Sequence, residues 1–350
     1  VKTSVVILNW NGRKLLERFL PSVLQHSLSE ECNVIVADNN SSDDSLEFLR
    51  THYPDLPVIV LDKNWGFAEG YNKALQQVDS EYVVLLNSDV ETTPDWVQPL
   101  ISYMDAHPEV AAVQPKIRAY KDKNRFEYAG ASGGFIDRYG YPFCRGRILH
   151  VVEEDRGQYD DEMPVFWATG ACLCIRRKEY TEAGGLDGRF FAHMEEIDLC
   201  WRLNARGRRV MCVPASVVYH VGGASLNQDN PKKMYLNFRN NLLMLYKNIP
   251  QRIYYSTFTI RIFFDILAGL RLLLRGNIQS AQAVIDAYRD FLKMRPYYKP
   301  VRRENLRKAT MELIPTQYRK SILIDFYFRG KRSYASLFEK GKIDYTASRN

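Results

Sequence analysis

Short apolar runs alternate with segments of helical period from the first residues of the chain. Ser4-Val5-Val6-Ile7-Leu8 predicts a buried strand, and behind it Leu15, Leu16, Phe19, Leu20, Val23 and Leu24 recur at helical spacing. The unit then repeats. Val34-Ile35-Val36-Ala37 predicts a second strand, and Ser41-Ser42-Asp43-Asp44 is a cap-rich entry to a helix through Leu46 and Leu49. Pro57-Val58-Ile59-Val60-Leu61 predicts a third strand, Ala68, Tyr71, Ala74, Leu75 and Val78 a third helix, and Tyr82-Val83-Val84-Leu85-Leu86 a fourth strand. Strands separated by helices imply an α/β fold with a largely parallel sheet and right-handed crossovers.

After Pro115 the regularity fades. Residues 118–165 are rich in Gly, Tyr, Arg and Asp and predict loops and short hairpins over the sheet. Cys172-Leu173-Cys174-Ile175 returns to strand, and Glu195 to Ala205 predicts a helix with Gly207 as its stop. Val210-Met211-Cys212-Val213 and Val217-Val218-Tyr219 predict two further strands, and from about residue 231 the pattern is helical.

Charge divides the chain at the same place. The net charge of +7 conceals 24 Lys+Arg against 8 Asp+Glu in residues 231–350, a balance of +16, and a balance of −9 in residues 1–230. Two modules follow: an α/β body over 1–230 and a basic helical appendage over 231–350 facing an anionic surface. The six cysteines form no CxxC pair and fall in apolar runs, so they read as reduced, buried side chains, which favours the cytosol. The opening segment lacks the basic-then-apolar pattern of a signal peptide.

Acidic residues mark where chemistry belongs. The second strand ends at Asp38, the fourth runs into Asn87-Ser88-Asp89, and a later helix opens with Glu195, Glu196 and Asp198. In open α/β sheets ligands bind at the carboxyl edge of the strands, so these three clusters suit a divalent cation, a phosphorylated substrate and a base. Each residue also has a plainer reading. Asp38 can close an Asx turn, Asp89 can cap the turn before Thr92-Thr93-Pro94, and Glu195 or Asp198 can stabilise a helix start.

Eight segments in register, in the expected order, resemble the inverting glycosyltransferases of family 2, which have the GT-A fold. They are Ser4 to Gly12, Val36 to Asp43, Asn64-Trp65-Gly66-Phe67-Ala68-Glu69-Gly70-Tyr71-Asn72, Asn87-Ser88-Asp89, Trp167 to Ala171, Gly185-Leu186-Asp187, Glu195 to Leu199, and His220. The Asn64 to Asn72 segment resembles that of the rhamnosyltransferase-like branch, and Asn87-Ser88-Asp89 stands where the family has its DxD motif.

The resemblance implies roles. Asp38 would accept from the imide N–H of uracil or thymine, with Asn9 and Asn11 lining the base and ribose of a UDP- or dTDP-sugar. Asn40, Asn64, Gly66, Phe67, Asn72 and Asn87 would complete the nucleotide site, the helix start at Gly66 offering its amides to phosphate. Asp89 would hold Mn²⁺ or Mg²⁺, which take substrate phosphates and water as further ligands, and His220 would be a second protein ligand that tilts the choice toward Mn²⁺. Trp167, Thr169, Gly170 and Asp187 would shape the sugar and acceptor pocket, although Trp167 can equally be core and Asp187 a turn cap. The catalytic base would be Glu196, where relatives carry Asp, with Glu195 and Asp198 as alternatives.

In the appendage, residues 253–274 are too interrupted by charge to span a membrane. Arg261, Asp265, Arg271 and Arg275 fall within an arc of about 120° on a helix, leaving a wide apolar face. That pattern suits peripheral docking on the anionic cytoplasmic face of the inner membrane, with a lipid-linked glycan as acceptor. It also suits a helical subdomain that seals the catalytic core or forms a dimer. Two rival functions, a nucleotidyltransferase and a nucleic-acid binder using the basic tail, fit less well. The first lacks a full Gly-rich basic phosphate loop, and the acidic body would repel nucleic acid.

Overall fold

The computed structural model describes residues 1–222 and 230–338. Strands β1 (Thr3–Asn9), β2 (Cys32–Asp38), β3 (Val58–Val60) and β4 (Tyr82–Asn87) run parallel in the order β3-β2-β1-β4, joined by helices α1 (Arg13–Ser27), α2 (Ser45–His52) and α3 (Gly66–Leu75). This is the expected α/β half.

Beyond β4 the sheet becomes mixed. The chain continues through β5 (Val90–Thr92), α4 (Val97–Ala106), β6 (Val110–Ala119), β7 (Gly134–Ile136), β8 (Pro142–Cys144), β9 (Arg147–Ile148), β10 (Val151–Val152), β11 (Met163–Pro164), β12 (Cys172–Arg176), α5 (Arg177–Ala183), α6 (Glu195–Ala205) and β13 (Arg209–His220). β12 lies antiparallel between β4 and β6, β13 runs parallel to β6, and β5 and β11 pair antiparallel with β13. The two strands expected at Val210 and Val217 are one, β13, whose register against β6 shifts between Val213 and Val217. A small sheet, β10-β9-β8-β7, supplies the hairpins expected within 118–165.

Strand alternation splits the core into two layers. Val5, Ile7, Val34, Val36, Val84 and Leu86 face one side, against Leu16 and Leu20 of α1 and Leu100 and Met104 of α4. Val6, Ile35, Ala37, Val83 and Leu85 face the other, with Tyr71 of α3 and Leu199 and Leu203 of α6.

The second layer does not stop at residue 230. It continues into α7 (Pro231–Asn248), α8 (Gln251–Leu274), α9 (Ile278–Lys308), α10 (Ile322–Tyr327) and α11 (Tyr334–Leu337) through Leu242 to Tyr246, Phe291, Tyr298, Phe326 and Tyr334. The buried Asp137 carboxylate accepts from the amides of Tyr139, Tyr141 and Ile322, tying the small sheet to the start of α10. Body and appendage therefore share one hydrophobic core. No helix among the described residues is long and apolar enough to cross a membrane.

Candidate active site

Parallel register brings the first candidate residues to one edge. Asn9 pairs with Asp38 across β1 and β2, and Leu8 with Asn87 across β1 and β4. The Asp38 carboxylate is fully buried and accepts from Asn9 Nδ2 at 2.9 Å, Ser41 Oγ at 2.7 Å and the Ser41 amide at 2.8 Å. Asn11 bridges the same two loops, its Oδ1 accepting from the Ser42 amide at 2.7 Å. Asn11 and Asn40 both have positive φ, at 50° and 60°, and both are exposed. Asp38 thus closes the turn, with Asn9 holding its carboxylate rather than standing open at the rim.

The next loop is fixed by a residue the sequence reading passed over. Asn39 Nδ2 donates to Asn64 Oδ1 at 3.1 Å and to the Gly66 carbonyl at 2.9 Å, while its Oδ1 accepts from the Trp65 amide at 3.0 Å. Gly66 has φ +74, and a Cβ there would sit 2.4 Å from the Phe191 ring, so only glycine fits. The amides of Phe67 and Ala68 both donate to the Phe191 carbonyl, at 2.8 and 3.1 Å. This corrects the expectation that the start of α3 offers free amides to phosphate. Asn72 departs likewise: its amide donates to Leu186 O and Glu69, and its oxygen accepts from Tyr180 Oη and the Leu186 amide. It latches α3 to the Gly185-Leu186 turn.

Asp89 and His220 meet where β5 pairs with the end of β13. Asp89 Oδ1 lies 3.1 Å from His220 Nε2, Asn87 Nδ2 lies 3.4 Å from the same nitrogen, and Glu127 Oε1 lies 3.4 Å from Nδ1. Burial opposes a charged His220, but Glu127 and Asp89 outweigh it and push its pKa up to about 10. Asp89 is held below the usual carboxylate range, its own burial being overcome by the His220 contact.

This pair fits a divalent cation in spacing, since two neighbouring ligands of an octahedral ion at about 2.1 Å stand about 3 Å apart, but a cation would have to displace the proton that Asp89 and Glu127 favour on His220. Among the described residues no group of three or more His, Cys, Asp or Glu side chains could hold a metal by itself. A cation here would need a diphosphate to complete its shell. Glu127, 3.4 Å from Nδ1 without a hydrogen bond to it, stands where the outer partner of a histidine ligand would stand.

The carboxylates at the start of α6 separate by environment. Asp198 is buried, and although burial would raise it, Lys247 and Arg202 hold it below the normal range. Its oxygens lie 2.8 Å from Lys247 Nζ and 3.0 Å from Arg202 and accept from Asn248 at 2.8 Å. It is an ion-pair centre and not a base. Glu195 is also buried, one of its oxygens has no partner, and burial followed by the nearby Glu196 charge pushes it well above the normal range. Glu196 is partly exposed as a residue, but one of its carboxyl oxygens is likewise buried without a partner, and burial pushes its pKa up to about 7.

The segment entering α6 is strained. Phe191, His193 and Met194 have φ of 67°, 72° and 72°. Asn240 of α7 holds it, donating to the carbonyls of Phe190, Ala192 and His193 at 3.0, 2.9 and 2.8 Å.

Trp167 and Asp187 take the core and turn-cap alternatives, and Thr169 departs from the pocket. Trp167 is core, its indole donating to the Phe135 carbonyl at 2.9 Å and its ring packed against Gly134. Thr169 is buried, its amide donating to Gln114 at 3.0 Å. Asp187 caps the Gly188–Phe190 turn and pairs with Lys247 at 2.5 Å and Tyr298 at 3.1 Å. Gly170 lies against the Phe67 ring, which a Cβ there would touch at 3.2 Å. A cleft of about 610 Å³ opens between α7 and α9 and one of about 270 Å³ between the end of α6 and the C-terminal helices, and neither is lined by Asp38, Asp89 or Glu196.

Residues 4–177 match the model of the glycosyl transferase family 2. The chain carries a family 2 glycosyltransferase domain. It is a glycosyltransferase, and family 2 enzymes invert the anomeric centre. The N-acetylglucosaminyl-diphospho-decaprenol L-rhamnosyltransferase of Mycobacterium tuberculosis is 26% identical over 259 residues, covering 69% of this chain and 83% of its own. Rhamnosyltransferase WbbL of Escherichia coli is 23% identical, covering 71% of this chain and 92% of its own. These relatives support a rhamnosyltransferase-like branch. The GT-A fold is shared with GalNAc-T7, solved with UDP, GalNAc and Mn²⁺, at TM-score 0.56 and 16% identity over 71% of this chain and 48% of that one. It is shared also with Staphylococcus aureus TarS 1–349 in complex with UDP-GlcNAc, at TM-score 0.55 and 16% identity over 88% and 89%.

Proposed function

We propose that this glycosyltransferase moves a sugar, rhamnose-like, from a UDP- or dTDP-sugar to a hydroxyl of a lipid-linked glycan, using Glu196 as base and a divalent cation at Asp89 and His220. Such a step belongs to surface polysaccharide assembly on the cytoplasmic face of the inner membrane. The observation that carries the reading is Glu196. Of the three acidic residues at the start of α6 it alone is not fully buried, although one of its carboxyl oxygens lies buried without a partner, and a pKa of about 7 leaves it able to take a proton near neutrality.

The chain's own groups then divide the work. Glu196 takes the proton of the acceptor hydroxyl as its oxygen attacks the anomeric carbon. The bond from that carbon to the diphosphate oxygen breaks in the same displacement, so configuration inverts and no covalent glycosyl-enzyme forms. When bound, Mn²⁺ or Mg²⁺ neutralises charge on the diphosphate oxygens. The 38–43 loop, which Asp38 and Asn11 hold through the Ser41 and Ser42 amides, would frame the nucleoside. Support for the donor class comes from the relatives named as rhamnosyltransferases and from the UDP-bound neighbours.

A nucleotide-sugar panel assayed for release of UDP or dTDP, with Mn²⁺, Mg²⁺ or a chelator, tests the reading. Release from one donor class that a chelator abolishes is the expected result. Turnover indifferent to chelation would remove the cation from the scheme.

A further inference from the structure

Helix α8 is built inside out. Its charged stripe faces the protein: Arg261 and Asp265 are buried, paired at 2.9 Å, and Arg261 stacks over Tyr141 at 4.1 Å. Tyr141 and Tyr288 donate to Asp265 at 2.8 and 2.7 Å, and Arg261 donates to the Tyr139 carbonyl at 3.1 Å. The apolar face therefore turns outward. Phe263, Ile266, Leu267, Leu270, Leu273 and Leu274 are all exposed, Leu274 at 90%. A surface helix normally buries such residues, and an apolar strip of this length on the outside marks an interaction surface.

We propose that the outer face of α8 docks on an anionic lipid bilayer, lying along the interface with these side chains among the acyl chains. The inference rests on the lipid-linked acceptor proposed above, which has to be met at a bilayer. Charge favours this occupant. The one acidic residue of α8, Asp265, is buried, whereas Arg271 and Arg275 are exposed beside the leucines. Arg271 donates to Tyr327 Oη at 3.0 Å, which brings the exposed Phe328 and the following Arg329-Gly330-Lys331-Arg332 alongside. Apolar side chains rimmed by cations suit anionic headgroups. A second copy meeting the same face would crowd the arginines of both copies together.

The test is co-sedimentation of the full chain with vesicles of phosphatidylglycerol and phosphatidylcholine against vesicles of phosphatidylcholine alone. Wild type should partition onto the anionic vesicles, and less as salt rises. Phe263→Ser/Leu267→Ser/Leu270→Ser should lower that partition at least ten-fold with nucleotide binding unchanged. Arg271→Gln/Arg275→Gln should reduce the preference for anionic lipid and the salt dependence. Equal partition of wild type and the triple variant overturns the proposal, as does a solution dimer that the triple variant dissolves. Vesicle binding without any nucleotide binding would sink the proposed reaction and leave the docking surface standing.

Discussion

Lys247 of α7 lies 2.8 Å from Asp198 of α6, both of them buried, so a residue of the basic appendage neutralises a carboxylate of the helix that bears the proposed base. The same ammonium reaches Asp187 at 2.5 Å, and Arg202 completes the cluster on Asp198 at 3.0 Å. The appendage thus braces the helix that bears the proposed base.

Removing the cation from this cluster leaves buried carboxylates without their partner, the costly way to break an internal ion pair. Lys247→Met is expected to destabilise by about 3–5 kcal/mol. Adding Asp198→Asn should restore part of that loss, because one uncompensated charge goes with it. Chemical denaturation of both variants checks this. An additive double variant would show that the two groups do not interact.

Glu196 must be ionised to accept a proton. Its pKa, raised by burial to about 7, puts the ascending limb of kcat/KM near neutral pH. Glu196→Gln should bind nucleotide normally and lose at least a hundred-fold in transfer. The stability effect runs the other way. A carboxylate whose folded pKa is raised binds more protons when folded, so stability falls as pH rises between the unfolded and folded values. Glu195, raised well above normal by burial and by Glu196, acts in the same direction. Glu195→Gln should therefore gain about 1 kcal/mol at pH 8 and nothing at pH 4. Thermal melts at the two pH values decide it.

Asp89→Asn should abolish cation-dependent turnover and leave the melting temperature within a few degrees. Glu127→Gln is the more informative companion. Glu127 does not sit on the Asp89 side of the imidazole; it lies 3.4 Å from Nδ1. Loss of such an outer partner weakens metal binding by about 10–100-fold. Mn²⁺ titration in the presence of UDP, followed calorimetrically, reads this directly, and unchanged affinity in both variants would move the cation elsewhere.

The repeating half of the fold was legible because β1 to β4 are unbroken apolar runs with helical spacing between them. β6 was not. Gln114 and Lys116 interrupt its pattern although both are buried, Gln114 donating to the Gly130 carbonyl and Lys116 pairing with Asp155 at 2.9 Å. Polar residues with internal partners erase the signal that burial usually leaves. Glu127 was hidden for a related reason, lying in an aperiodic stretch that the fold carries to His220. Asn72 stands in a ligand motif, yet its bonds go to the protein, and Asp187 takes its turn-cap alternative, since a motif marks position and not what a side chain faces. Periodicity gave the width of the apolar face of α8, but which side met the protein depended on Tyr141 and Tyr288, far away in sequence.

Asn240 offers the sharpest separation of positioning from folding. Its amide reaches the carbonyls of Phe190, Ala192 and His193 just before Glu195 and Glu196, across a run with three positive φ angles. Those angles are sparsely populated for non-glycine residues and persist only where neighbours over-determine them. Without the amide the run relaxes and α6 begins from a different point. Asn240→Ala is expected to cost about 1–3 kcal/mol through the part-buried Ala192 and His193 carbonyls that lose their donor, the Phe190 carbonyl keeping Arg239 and the Ala192 amide. The diagnostic readout is kinetic. Displacement of Glu196 should lower kcat ten-fold or more while KM for the nucleotide sugar changes little, because Asp38, Asn11 and Asp89 lie on other elements. Asn240→Asp can accept but no longer donate to those carbonyls, so it should behave like the alanine variant. A variant that lost stability with kcat intact would make Asn240 a purely structural residue.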